Sequence, residues 1–249
     1  MISPTPPSAP PARPDNRACD QMRDISLTTH VNPYAEGSCL AKFGATEVLC
    51  TASVQRKTPM WMRGQKRGWV TAEYGMLPRA THERKDREAT RGKQEGRTIE
   101  IQRLIGRSLR SVVNLELLDG YTIWLDCDVM VADGGTRTAA ITGAYVALAL
   151  AISSLEKDGK IKPGALQSQI AAISCGITPA GIVLDMDYAE DANTHADGNF
   201  VLSCAEHWIE LQISAEQRPI TASETAEMQR LALIGCKQLM ALQQQVLSS

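Results

Sequence analysis

Apolar and polar residues alternate with a period of two in several short stretches, a pattern that predicts strands with one buried face. The clearest is Tyr121–Val131, where Ile123, Leu125, Cys127, Val129 and Val131 share one face and Trp124, Asp126 and Asp128 the other. Ile25–Val31, Ile170–Ile177, Ile182–Asp187, Phe200–Cys204 and Trp208–Ile213 are shorter strands of the same kind. Ser38–Phe43 and Glu47–Val54 flank Gly44-Ala45-Thr46 as the arms of a hairpin.

Three other segments follow the helical period. From about Arg97 to Val113, an apolar stripe (Ile101, Leu104, Ile105, Leu109, Val112, Val113) opposes a charged one built on Arg97, Glu100, Arg103, Arg107 and Arg110. From about Arg137 to Glu156 the chain is apolar nearly all round, which places that helix in the core. Its apolar run, Ala139 to Ile152, is shorter than the roughly 20 residues of a membrane span. The last helix runs from about Thr221 to Val246 and is rich in glutamine. Strands and helices come in runs without strict alternation, so the expected class is α+β, mixed β-sheets packed with helices.

Composition sharpens this outline. With 249 residues, 43% of them hydrophobic, the chain can fill one substantial core. Residues 1–12 hold five prolines and are expected to be a disordered tail, leaving 13–249 as the folded domain. That tail has neither the basic start nor the apolar run of a signal peptide. Seven scattered cysteines without a CxxC pair point to reduced thiols and a cytoplasmic protein, and the four histidines lack metal-ligand spacing.

Net charge is only −2, but it is unevenly spread. Between Gln55 and Arg110 there are fifteen Lys/Arg against six Asp/Glu, a local +9 that leaves −11 for the rest. A charged helix face can simply be solvated; segregation on this scale favours a surface for a polyanion.

Chemistry concentrates in three places. Ala132-Asp133-Gly134-Gly135-Thr136-Arg137-Thr138 joins the best strand to the most buried helix. Paired glycines expose backbone N–H groups, the helix contributes its positive end, and Arg137 and Thr136 add donors: a cradle for a small anion. A Gly-Gly pair is often only a turn and Thr only a cap; the adjacent arginine favours phosphate. Gly92 to Gly96 leads Arg97 into a second helix start, where a guanidinium is unfavourable unless an anion is shared, although it could also pair with Glu95 or Glu100. Asp185, Asp187, Glu190, Asp191 and Asp197 form an acidic run with no lysine or arginine between 185 and 197. It is either a solvated loop or a place for Mg²⁺ or a general acid. Phosphate is itself a competent nucleophile, so such a site needs positioning, charge neutralisation and protonation of a leaving oxygen.

Several long runs resemble the ribonuclease PH family: Arg17-Ala18-Cys19-Asp20-Gln21, Gly68 to Arg79, Gly96 to Leu104, Asp126-Cys127-Asp128-Val129 and Ala132 to Thr138. The resemblance implies the RNase PH fold in a ring-shaped hexamer, a trimer of dimers. It also implies a phosphate-dependent 3′→5′ exoribonuclease that trims tRNA precursors and releases nucleoside diphosphates. On this resemblance inorganic phosphate, the co-substrate, would contact Arg97, Gly135, Thr136 and Arg137. Asp191 and Asp197 would be the catalytic pair and hold Mg²⁺, and Arg79, Arg84 and Arg87 would guide RNA. The sequence departs from the family pattern at Asn16, Gly198 and Gln217, and Gly198 is expected to loosen the backbone beside Asp197. A non-catalytic RNA-binding ring subunit of the same fold and a small-molecule phosphotransferase are the competing readings.

Overall fold

The protein is described from a computed structural model, in which residues 12–248 are described. The expected tail falls almost wholly outside them; only Ala12 is described, and it is exposed.

Two sheets carry the architecture. The first has strands β1 (Ile25–Thr29), β2 (Gly37–Phe43), β3 (Thr46–Gln55), β4 (Trp69–Met76) and β5 (Thr122–Val131), in the order β1-β2-β3-β5-β4. Only β4 and β5 pair in parallel. A parallel neighbour demands a crossover, supplied here by α1 (Glu88–Arg91) and α2 (Gly96–Arg110). The second sheet, wholly antiparallel, contains β6 (Ile170–Thr178), β7 (Gly181–Leu184), β8 (Ala196–Ser203) and β9 (Trp208–Ala215) in the order β7-β6-β8-β9.

Helix α3 (Thr136–Lys157) touches strands of both sheets, which is why it is apolar on every side. By length and composition it could cross a membrane, but 83% of its most apolar window is buried within the protein. Its close fit depends on small residues. A Cβ at Gly143 would stand 2.9 Å from both Ala41 Cβ and Cys50 Sγ, too near for either to remain in place. Helix α5 (Ala222–Leu247) closes the second sheet and starts at a capping box in which Thr221 and Glu224 each bond the other's backbone N–H. Between β7 and β8 lies the short α4 (Tyr188–Asp191), with Asp187 and Glu190 forming a second capping box.

The fold is the α+β architecture expected, with four local differences. The alternating stretch Trp69–Met76 is a strand that the hydrophobic pattern did not single out; its buried residues are Val70, Ala72 and Tyr74. The first strand ends at Thr29, because His30 takes φ = +56°. The strand expected over Ile182–Asp187 stops at Leu184, because Asp185 turns the chain at φ = +54°. The strand expected from Phe200 begins instead at Ala196, which puts Asp197 on a ladder and not in a loop.

Candidate active site

A cleft of about 630 Å³ opens where β5 ends and α3 begins. Its walls come from segments far apart in sequence: Arg97, the 134–137 loop, Asp191 and Asp197. Every residue expected to contact phosphate, and both expected catalytic aspartates, lies on this one cavity. Arg79, Arg84 and Arg87 do not line it; they are exposed on the segment whose Thr81, His82, Glu83 and Lys85 do. Arg84 pairs with Asp86 at 2.8 Å, and the charge of Arg87 acts on Asp128.

The anion cradle is built by backbone geometry. Gly134 and Gly135 take φ = +76° and +66°, left-handed values that a side chain disfavours. At Gly134 a Cβ would also lie 2.6 Å from the Met186 carbonyl, so the 134 loop and the chain before α4 press together. Thr46, fully buried at the start of β3, fixes the loop from below: its hydroxyl donates to Gly134 O at 2.7 Å and accepts from Asp133 N at 2.8 Å. Thr136 meets the buried Tyr74 hydroxyl at 2.9 Å. A threonine oxygen so supported can accept from tyrosine and still donate to a ligand.

The two cleft arginines are held differently. Arg97 pairs with neither candidate: Glu95 bonds Arg91 at 2.9 Å, and Glu100 bonds Arg137 at 3.2 Å. Arg97 forms no ion pair among the described residues, so a full guanidinium charge is left facing the cleft beside a helix start. Arg137, largely buried, is oriented by Glu100 and by Gln212 Oε1 at 2.9 Å.

The five-member acidic run does not act as one cluster. Asp185 and Glu190 turn away from the cleft and are neutralised by three arginines that precede β1. Arg13 forms a two-pronged pair with Glu190 at 2.6 and 2.9 Å, Arg17 reaches Glu190 at 3.2 Å, and Arg23 binds both oxygens of Asp185 at 3.0 and 2.7 Å. Asp187 is spent on capping α4. Only Asp191 and Asp197 remain on the cavity, and no group of three or more metal-ligating side chains exists among the described residues. Burial first, and then the charge of Asp197, push the Asp191 carboxyl above its ordinary range, while Arg97 and Arg137 pull it down. Two carboxylates in mutual repulsion beside an anion cradle suit Mg²⁺, which usually takes one or two carboxylates and completes its shell with phosphate oxygens and water.

The buried arginine–carboxylate network was missed from sequence. Its one signal was the closely spaced Arg13, Arg17 and Arg23 ahead of the first strand, a pattern that does not reveal partners some 170 residues away.

Comparison with known proteins agrees with the fold. Residues 21–154 match domain 1 of the 3′ exoribonuclease family, which defines the class of enzyme. The chain is 56% identical over 231 residues to ribonuclease PH of Caulobacter vibrioides (strain NA1000 / CB15N), covering 93% of this chain and 97% of the relative. Ribonuclease PH of Rhodospirillum rubrum is 54% identical over 237 residues, with 95% and 99% covered. The chain therefore belongs to the ribonuclease PH family, and it is a phosphate-dependent 3′→5′ exoribonuclease acting on tRNA precursors. Solved structures share the fold at low identity. Rice Rrp46 superposes with a TM-score of 0.76 at 19% identity, covering 95% of this chain and all of that one. The Archaeoglobus fulgidus exosome with RNA bound to the active site gives 0.75 at 18%, covering 92% and 91%.

Proposed function

We propose that the cleft grips inorganic phosphate between Arg97, Arg137, Thr136 and the Gly135 backbone and directs it at the last phosphodiester of an RNA 3′ end. The observation that carries this reading is the convergence of those four residues with Asp191 and Asp197 on one cavity. A phosphate oxygen attacks the terminal phosphorus, the bond to the 3′ oxygen of the preceding nucleotide breaks, and a nucleoside diphosphate leaves. The proton carried in by the phosphate ends on the freed 3′ oxygen, and the Asp191/Asp197 pair is placed to relay it. Two guanidinium groups and a helix end neutralise the charge that accumulates as the two anions meet. Mg²⁺, held by Asp191 and Asp197, would supply further neutralisation at the leaving oxygen.

Arg79, Arg84 and Arg87, exposed beside the cleft, would steer the RNA strand toward it. A homo-hexamer built as a trimer of dimers follows from the family resemblance, and β9, an unpaired sheet edge with Leu211 46% exposed, offers a face for subunit contact. All seven cysteines are unpaired, which suits the reducing cytoplasm.

The test is a product assay. A tRNA with a short 3′ trailer, incubated with Mg²⁺ and phosphate, should shorten and release diphosphates; equal trimming without phosphate, or monophosphate products, would contradict the reading.

A further inference from the structure

Strand β6 is buried along its whole length, and Ser174 is the polar residue at its centre. Its Oγ is shut off from solvent and has no hydrogen-bond partner among the described residues. Arg67 Nε, Ser108 Oγ and Trp124 Nε1 share that condition, but none of those residues lies on the cleft wall; Ser174 does. A buried hydroxyl without a partner keeps the cost of leaving water and gains nothing in return. The strand carries alanine at 171 and 172 without difficulty, so a serine here calls for a partner that comes and goes.

The surroundings of the hydroxyl narrow the choice of partner. A Cβ on Gly135 would stand 3.8 Å from Ser174 Oγ, 3.3 Å from Thr138 Oγ1 and 3.2 Å from Arg23 Nη2. Thr138 Oγ1 donates to Gly135 O at 2.8 Å, and Arg23 Nη2 to Asp185 Oδ1 at 2.7 Å. Of these three groups at the Gly135 end of the cradle, only the serine is unspent.

Register across the second sheet sets Ser174 in a polar row. It pairs with Asn199 on β8, and Asn199 pairs with Gln212 on β9, whose Oε1 accepts from Arg137. Asp197 lies two residues before Asn199 and so on the same face of β8. The row therefore runs from the Gly135 end of the cradle to Arg137, along the cleft wall that carries Asp197.

We propose that Ser174 is a further phosphate ligand, whose hydroxyl donates to a phosphate oxygen at the Gly135 end of the cradle. Arg97 belongs to α2, and Gly135, Thr136 and Arg137 to the start of α3; Ser174 adds a contact from the second sheet. A serine hydroxyl rotates to meet an incoming oxygen without moving the backbone. As a neutral donor it orients the nucleophile without adding positive charge. The inference rests on the cleft holding phosphate, as proposed above.

Thermal melts across a series of inorganic phosphate concentrations, without RNA, test it on Ser174→Ala, Arg97→Ala and the parent. Alanine removes an unpaired buried hydroxyl, so the phosphate-free Ser174→Ala protein should melt about 2–4 °C above the parent. It should nevertheless need about tenfold more phosphate for the same further rise in Tm, the effect of losing one hydrogen bond to a charged group. In turnover, KM for phosphate should rise by the same factor while KM for RNA stays near the parent value. A lower Tm without phosphate would overturn the proposal, because the hydroxyl would then serve the fold. So would an unchanged phosphate dependence in Ser174→Ala alongside a weakened one in Arg97→Ala, a result that leaves the reading of the cleft intact. If phosphate raised the Tm of neither the parent nor the variants, the reading of the cleft would fail, and the serine contact with it.

Discussion

Arg23 holds both carboxylate oxygens of Asp185, through Nε at 3.0 Å and Nη2 at 2.7 Å, while its remaining nitrogen bonds the carbonyl of Asp133. One buried guanidinium therefore ties the loop that starts at Asp133 to the turn that leads into α4 and Asp191. It also runs close beneath the cradle, since a Cβ at Gly135 would sit 3.2 Å from Nη2. Burial works against this charge, and the hydrogen bonds and charge of Asp185 more than offset it, so Arg23 is held charged more firmly than usual.

Replacing Arg23 separates positioning from folding. Arg23→Ala would leave the buried Asp185 carboxylate with only Arg17, 3.7 Å away, and the backbone N–H of residue 23, a change that costs up to about 3–5 kcal/mol and threatens the fold itself. Arg23→Lys keeps the charge but cannot bridge Asp185 and Asp133 at once. The lysine variant should fold with a lowered Tm and lose at least about tenfold in kcat/KM for phosphate, about 1.4 kcal/mol, with KM for RNA nearly unchanged. Steady-state kinetics with each substrate varied in turn would check this; equal losses for both substrates would mean that Arg23 only stabilises the fold.

What could be seen in the sequence, and what could not, follows from the range of the forces involved. The Tyr121–Val131 strand, the all-apolar α3 and the long α5 were legible because alternation and helical period are local signals. The Gly134-Gly135 cradle was legible for the same reason, as strand, glycine turn and helix start are consecutive. Trp69–Met76 escaped because its buried face, Val70, Ala72 and Tyr74, is short and its partner β5 lies beyond a helical crossover. The acidic run was misread as one group because the arginines that claim Asp185 and Glu190 are distant in the chain. Sequence proximity grouped five carboxylates that the fold divides into structural and cleft-facing sets.

Tyr74 offers a test of how Thr136 is prepared for phosphate. Its hydroxyl is buried and 2.9 Å from Thr136 Oγ1; with tyrosine as the donor, the threonine proton is free to point at an anion. Tyr74→Phe removes one hydrogen bond, worth about 1 kcal/mol, and lets the threonine hydroxyl rotate. KM for phosphate should rise about fivefold with little change in Tm. A phosphate titration at saturating RNA measures it, and an unchanged KM would remove Tyr74 from the site.

On the other side of the first sheet, Glu73 and Asp126 stand directly opposite each other across the parallel β4–β5 pair, with Asp128 two residues further on. Burial, then Glu73, then Asp128 push the Asp126 carboxyl above its ordinary value of 3.8. A raised folded-state pKa means that the ionised form destabilises the fold. The cost is present above the raised value and vanishes below 3.8. Asp126→Asn should therefore raise Tm at pH 7 and make no difference near pH 3.5. Thermal melts of the two proteins from pH 3.5 to 8 would show the curves diverging upward; a constant offset would mean that the effect is not ionic.

Gly198, next to Asp197, was expected to loosen the backbone there, and the structure gives it a different role. It lies inside β8, paired with Cys175 on one side and Ile213 on the other, so the ladder holds the chain at this point. The space above it is already filled: a Cβ would stand 2.7 Å from the Phe200 ring and 2.8 Å from the Met228 methyl. Phe200 is fully buried and cannot swing outward, although the end of Met228 can move. Gly198→Ala should then be an overpacking change, costing about 1–3 kcal/mol and lowering Tm by roughly 2–12 °C for a chain of this size. Combining it with Phe200→Leu, which makes room on the same face, should recover part of that loss. Turnover per folded molecule should stay close to that of the parent, because Asp197 is held by its neighbours on both strands. Melting curves and single-turnover rates of the single and double variants would decide the matter: a stable Gly198→Ala protein with a large gain in rate would mean that the glycine does weaken Asp197 after all.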